Sequence, residues 1–318
     1  MKSSNVNRLG RAALLVGAVL ASALLSSCGG GSQATSFTAT RVIAFGDESS
    51  VITANGSKYT INTLASTGST AVDCTSAPLW IQSVAAIYGL VFPQCPSFFT
   101  DPVSRIYAAP GARVADLSAQ IDEHVTNGGF VSSDLVTVFI GPNDIINEFA
   151  QYPAIGEDQL LANVDAAGVE LAKQVNRIAS LGAKVLITTI PDMGLSPYAG
   201  DRSAGSTNGN PAVLTRLSTR FNDAMLANLT NDGRKIGLIQ LDEYLTAVDR
   251  ATQAGTNSSF ANTTLAACTV ALPKCTTNTL VPEAVSSIWL WADATHLSPS
   301  GQSGLASLAI TRAQNNPF

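Results

Sequence analysis

Charge and histidine are scarce in this 318-residue sequence. Charged residues make up 13% of it, and the histidines number two, His124 and His296. So little charge beside 46% hydrophobic residues excludes an intrinsically disordered chain. Basic residues are outnumbered, 18 against 23, and a net charge of −5 argues against a nucleic-acid partner, which would need basic patches. Two histidines are too few for a His-rich metal site, and neither HExxH nor CxxC occurs. Glycine and proline, 25 and 14, are near ordinary levels, which excludes collagen-like and low-complexity chains. After residue 25 no apolar run is long enough for a transmembrane helix. The length fits one large α/β domain, or two domains at most.

What is present begins with an address. Lys2, Arg8 and Arg11 precede an apolar run, Ala12 to Leu25, that is short for a bilayer. It ends in Leu25-Ser26-Ser27-Cys28, and small residues at such a point fit a secretory signal peptide. The four residues also resemble the bacterial lipobox. That resemblance implies that 1–27 is a lipoprotein-type signal peptide, cut before Cys28, and that Cys28 carries lipid. The expected location is the bacterial cell envelope, lipid-anchored with the outer membrane favoured, or secreted. Residues 28–39 are rich in Gly, Ser, Thr and Ala and read as a flexible tether, leaving 40–318 as the domain. Removing Lys2, Arg8 and Arg11 leaves 15 basic residues against 23 acidic, a net charge of −8. An acidic domain does not adhere to anionic lipid heads by general electrostatics, so acyl chains would be the membrane contact.

Four cysteines remain: Cys74, Cys95, Cys268 and Cys275. An even number in an exported chain suggests disulfides, with three possible connectivities. The sequence-local pairings, Cys74–Cys95 and Cys268–Cys275, are the simplest. Neither spacing matches a zinc finger.

Short apolar runs alternate with helical periodicity. Strands are expected at Arg41–Gly46, Arg105–Ala109, Asp134–Ile140, Lys184–Ile190, Ile236–Leu241 and Ile288–Trp291. Helices are expected at Pro78–Tyr88, around Val114–Val125, at Glu157–Ser180, from Pro211 to about Asn231, and from Pro299. Stretches 49–77, 195–210 and 252–285 read as insertions. Such alternation means βαβ units and a parallel sheet buried on both faces. Ligands of such sheets sit at the carboxyl ends of the strands.

At those ends stand Gly46-Asp47-Glu48-Ser49-Ser50, Gly111-Ala112-Arg113, Gly141-Pro142-Asn143-Asp144 and, before the last helix, Asp293-Ala294-Thr295-His296. Together they supply a hydroxyl, hydrogen-bond donors and an Asp/His pair, the parts that acyl transfer needs. The four blocks, in this order over nearly the whole mature chain, resemble the GDSL, or SGNH, hydrolase family. The resemblance implies a three-layer α/β/α sandwich with a mostly parallel, flavodoxin-like sheet. It implies hydrolysis of a small ester or lipid substrate without metal or cofactor. His296 would be the base, oriented by Asp293, and Gly111 and Asn143 would form the oxyanion hole with the Ser49 N–H. The family places serine directly after Gly-Asp, and here that position is Glu48. Two readings follow. Either Ser49 is the nucleophile, brought into place by a one-residue bulge, or Glu48 fills the site and the chain is an inactive envelope binding module. A deacetylase-like esterase acting on polysaccharide differs from the first only in substrate.

Other residues have plainer expectations. Asp47 is an N-cap, Asp144 closes its loop, and Arg113 has no assigned role. His124 falls on the polar side of its helix and is expected to be solvated. Alternation puts Trp289 and Trp291 on one face, packed in the core or walling an acyl pocket.

Overall fold

The computed structural model describes residues 37–98, 100–203, 210–256, 259–315 and 318. The signal peptide, Cys28 and most of the tether lie outside the described residues, as does part of the 195–210 loop. Phe37–Phe318 makes up one compact unit.

Five strands form the central sheet: β1 (Arg41–Gly46), β2 (Arg105–Ile106), β3 (Asp134–Phe139), β4 (Lys184–Thr188) and β5 (Ile236–Ile239). Their order is β2-β1-β3-β4-β5 and every pairing is parallel. This is the flavodoxin-like order, with its switch point between β1 and β3. Ile43 and Phe45 of β1, with Val136 and Val138 of β3, face one helical layer. That layer holds α2 (Val114–Thr126), α4 (Glu157–Ser180) and α6 (Pro211–Asn228). Val42, Ala44, Leu135 and Leu186 face the other, where α1 (Trp80–Ala86), α7 (Leu241–Gln253) and α8 (Pro299–Asn315) pack. Burial on both faces explains why the strands read as unbroken apolar runs, each large aliphatic side chain contributing roughly 1.5–3 kcal/mol.

The remaining elements are α3 (Pro142–Phe149), α5 (Pro197–Ser203), β6 (Asn262–Ala266) and β7 (Trp289–Trp291). The last expected strand does not join the main sheet. It pairs with β6 in a separate parallel ribbon. Trp289 and Trp291 part company there. Trp289 joins a small cluster with Ile61, Ala267 and Cys275, while Trp291 enters the core beside α8. The Trp291 indole N–H donates to the Thr263 carbonyl at 2.8 Å.

Both expected disulfides are present, Cys74–Cys95 and Cys268–Cys275, with S–S distances of 2.00 and 1.99 Å. Lys58 supports the first. Its buried ammonium donates to the carbonyls of Cys74, Ser76 and Ala77 at 3.1, 2.5 and 2.9 Å. His124 is not solvated. It is 1% exposed, its Nδ1 lies 3.2 Å from the Tyr107 hydroxyl, and its ring packs 4.4 Å from that of Phe130. Aromatic residues from outside the helix cover what helical periodicity alone leaves polar.

Candidate active site

The site forms at the switch point, where two glycines let the chain turn sharply. Gly46 ends β1 at φ 125°, and a Cβ there would lie 1.9 Å from the Phe139 carbonyl oxygen. Gly141 opens α3 at φ 129°, and a Cβ would meet Phe221 at 2.6 Å and Ile190 at 2.8 Å. No other residue fits either position without displacing the neighbouring strand or core. Gln120 pins the first turn from α2. Its Oε1 accepts from the Gly46 N–H at 2.8 Å and its Nε2 donates to the Gly46 carbonyl at 2.9 Å.

Asp47 is the N-cap of a single 3-10 turn, Glu48–Ser50, and accepts the Ser49 N–H at 2.9 Å. Burial, then the neighbouring Glu48 charge, pushes its pKa up to about 7. Ser50 is fully buried and accepts the Trp80 indole N–H at 3.2 Å. That removes it from the reaction centre.

Glu48 occupies the centre. Its Oε1 lies 3.1 Å from His296 Nε2. Its Oε2 accepts the Gly111 N–H at 2.7 Å and the Asn143 side-chain amide at 3.1 Å. His296 Nδ1 lies 2.8 and 2.9 Å from the two oxygens of Asp293. Asp293 also accepts the backbone N–H groups of Thr295 and His296, which closes the loop that aims the ring. Asn143 donates to the Ala112 carbonyl too, at 3.1 Å, which fixes its amide plane. Asp144 accepts the Val114 N–H, binding the α3 start to the α2 start.

So the structure brings Glu48, Gly111, Asn143, Asp293 and His296 together. Ser49 is the exception among the expected site residues. Its N–H is spent on Asp47 rather than on an oxyanion, and the group on His296 Nε2 is the Glu48 carboxylate. The bulge that would carry Ser49 there is absent: β1 runs in register with β3 through Gly46 and the 3-10 turn follows at once. The Ser49 side chain lines the same recess, with Phe139, Pro142, Asn143, Pro191 and Leu297.

The electrostatics follow from these contacts. Burial works against a charged Glu48, but the His296 hydrogen bond, the Gly111 N–H and Glu48's own backbone N–H outweigh it and hold its pKa down, to about 2. Burial likewise works against an imidazolium, yet the hydrogen bonds and charges of Asp293 and Glu48 carry His296 up to about 10. The resting site is therefore a carboxylate–imidazolium–carboxylate line. A carboxylate, an imidazole and paired donors suit nucleophilic or acid–base chemistry.

Sequence reasoning passes over three contributors. Thr295 places its hydroxyl 3.1 Å from His296 Nδ1, and the Tyr59 ring stands 6.1 Å from the imidazole. Gln120, a buried amide on the apolar stripe of α2, is the one with a readable signal.

Comparison with known proteins agrees with the block order. A family model described as GDSL-like Lipase/Acylhydrolase matches residues 42–309. Among solved structures, an extracellular lipase from Streptomyces rimosus is 18% identical, with 87% of this chain and 100% of that one covered and a TM-score of 0.45. A lipase from a goat rumen metagenome is 11% identical, with 87% and 97% covered and a TM-score of 0.48. A variant of an acetyl xylan esterase from Geobacillus stearothermophilus is 16% identical, with 89% and 98% covered and a TM-score of 0.42. No curated protein matches the chain.

Proposed function

The chain belongs to the GDSL-like lipase/acylhydrolase family, and from that premise we propose that it is a cell-envelope hydrolase centred on Glu48, His296 and Asp293 rather than on an acyl-serine. One observation carries this reading: the Glu48 carboxylate bridges the imidazole and both oxyanion donors. An acyl-serine route through Ser49 needs its hydroxyl on Nε2 and the donors of Gly111 and Asn143 free. Both are taken. A tetrahedral oxyanion about 4 Å from the carboxylate would be opposed by about 4 kcal/mol at the effective dielectric of a protein surface. Loss of an oxyanion donor costs a further 10²–10³-fold or so.

The test is a fluorophosphonate serine probe with the modified residue mapped. Wild type should not be labelled at Ser49, and Ser49→Ala should change nothing. Stoichiometric labelling of Ser49 would return the site to the serine esterases.

A second reading, an inactive binding module, is favoured by the size of the recess beside Glu48. Its open volume is about 10 Å³, room for one water molecule at most. Turnover at Glu48 separates the two readings.

Export and anchoring rest on the charged leader, its apolar core and Leu25-Ser26-Ser27-Cys28. The two disulfides agree with an oxidising compartment. The mature chain should begin at lipid-bearing Cys28 and fractionate with membranes. Cys28→Ala should abolish lipidation, and a wild type intact before residue 28 would sink the assignment.

A further inference from the structure

Resting in part on the lipid-anchored reading of Cys28, we infer that the face around Phe98 is a second membrane contact, one that enters the apolar interface of a phospholipid bilayer. Phe98 is fully exposed, the most exposed large hydrophobic side chain among the described residues. It stands in a tight turn, where the Thr100 N–H donates to the Ser97 carbonyl at 3.5 Å. Beside it opens a groove of about 480 Å³, walled by Pro78, Ala86, Leu90, Val91 and Pro96. None of its lining residues belongs to the recess at Glu48. The groove is held open by its frame. Cys95 lines it and is bonded to Cys74, while Lys58 gathers the carbonyls of Cys74, Ser76 and Ala77. An exposed ring beside an unfilled apolar groove marks an interaction site, as scattered apolar side chains do not.

Charge points to the occupant. No Asp, Glu, Lys or Arg occurs between Asp73 and Asp101, the stretch that supplies the whole groove wall. The rest of the mature chain is acidic and is repelled by anionic head groups. An uncharged stretch with a protruding ring is the part that can enter a bilayer interface without stripping water from a charge. The same lack of charge disfavours a free fatty acid or another anionic ligand, because no cation in the stretch would hold its head group.

The described chain also begins at this edge. The Phe37 ring packs against Tyr88 and Phe318, with centroids 6.2 and 5.7 Å away. Tyr88 lies in the turn that follows α1, between Ala86 and Leu90 of the groove wall. Cys28 precedes Phe37 by nine residues, a span of about 30 Å at most when fully extended. Acyl chains on Cys28 would therefore keep the Phe98 face within reach of the bilayer. A weak apolar contact then suffices, because the tether holds the face at a high effective concentration near the surface.

The experiment places one indole on each side of the sheet. Phe98→Trp, and Val169→Trp on α4 as the control, are made in the full chain, expressed with its own leader. Each is reconstituted with phosphatidylcholine vesicles, with and without bromine on the acyl chains. Both positions are exposed, so neither indole replaces a packed core side chain. Wild type measures the background from the buried Trp80, Trp289 and Trp291. Emission from Phe98→Trp should shift to the blue and be lost in brominated vesicles, while that from Val169→Trp stays as in buffer. The quenching should survive raised salt, which screens charges and leaves apolar contacts intact. No quenching at Phe98→Trp, equal quenching at both positions, or quenching abolished by salt overturns the inference. A blue shift without quenching that grows with protein concentration assigns the face to a second copy of the chain and also overturns it. Mass spectrometry of the same sample separates this contact from the anchor. Lipid on Cys28 without quenching sinks the Phe98 contact alone, quenching without lipid sinks the anchor alone, and absence of both sinks both.

Discussion

The turn after β1 and the loop after β7 are built with the same local device and put it to opposite use. In each, an Asp side chain accepts the backbone N–H two residues on, Asp47 from Ser49 and Asp293 from Thr295. Asp47 goes no further. It is buried, beside another carboxylate, and its pKa is raised. Burial also works against a charged Asp293, but the His296 hydrogen bond reverses the balance and its pKa is lowered. Identical turn chemistry thus gives a structural carboxyl in one place and a charge partner in the other. The contacting cation decides which. Glu48, one residue past Asp47, finds that same cation, and so the carboxylate of the first turn that pairs with His296 is the residue that departs from the family pattern.

The largest effect should come from breaking this contrast at its centre. Glu48→Ser removes the carboxylate from the imidazole and the oxyanion donors and supplies a hydroxyl. Hydrolysis of short p-nitrophenyl esters should rise at least about 10³-fold over wild type, the factor that a repulsion of roughly 4 kcal/mol would suppress. Spectrophotometric assay decides it, and an unchanged rate would mean that the charge was not the obstacle. In that variant, adding Asn143→Ala should cost about 10²–10³ in kcat with a smaller change in KM. A change confined to KM would make Asn143 a binding residue only.

A more modest effect tests the scaffold. Replacing both Cys74 and Cys95 with Ala opens the longer covalent loop, 21 residues apart in sequence, and should cost about 3 kcal/mol in the chain-entropy picture. The Cys268–Cys275 loop, 7 residues apart, should cost less. Denaturant unfolding of both variants measures the order, and a reversed order would place the stability elsewhere than in loop closure.

The pH dependence of stability is expected to be the mildest signal. Glu48 has a depressed pKa, so its contribution is present above its ordinary value of 4.5 and is lost as pH falls toward about 2. His296 has a raised pKa, so its contribution is complete below 6.5 and is lost as pH rises through about 10. Thermal unfolding should show both ion-pair contributions together between about pH 4.5 and 6.5. Wild type should lose its advantage over His296→Gln above that window.

Much of this was legible in the residues. The strands are apolar because both sheet faces are covered; the need for glycine at 46 and 141 shows only in the fold, where a Cβ would meet the Phe139 backbone at one and the Phe221 and Ile190 side chains at the other. The disulfide partners are near in sequence and near in space. What escaped had competing local meanings. Gly141-Pro142-Asn143-Asp144 is turn chemistry, but Pro at the first helical position also begins α3. α7 carries Leu241 and Leu245 as its buried residues, too thin a stripe to stand out beside the end of β5. His124 looked polar on its helix because its cover, Phe45, Tyr107 and Phe130, comes from elsewhere in the chain. Ser49 looked available because successive residues of a tight turn cannot be told apart by spacing. In the fold the side chain that meets His296 Nε2 is that of Glu48, at 3.1 Å.

The two histidines supply the most direct measurement, because burial and charge pull them opposite ways. Burial lowers the pKa of His124, while Asp293 and Glu48 raise that of His296. A pH titration of the ring nitrogens by ¹⁵N NMR resolves both in one sample. The account predicts that both nitrogens of His296 stay protonated through pH 8 and titrate near 10, and that Glu48→Ser moves this transition down. His296 titrating in wild type near 6.5, or unmoved by Glu48→Ser, would contradict a site held by the Glu48 carboxylate.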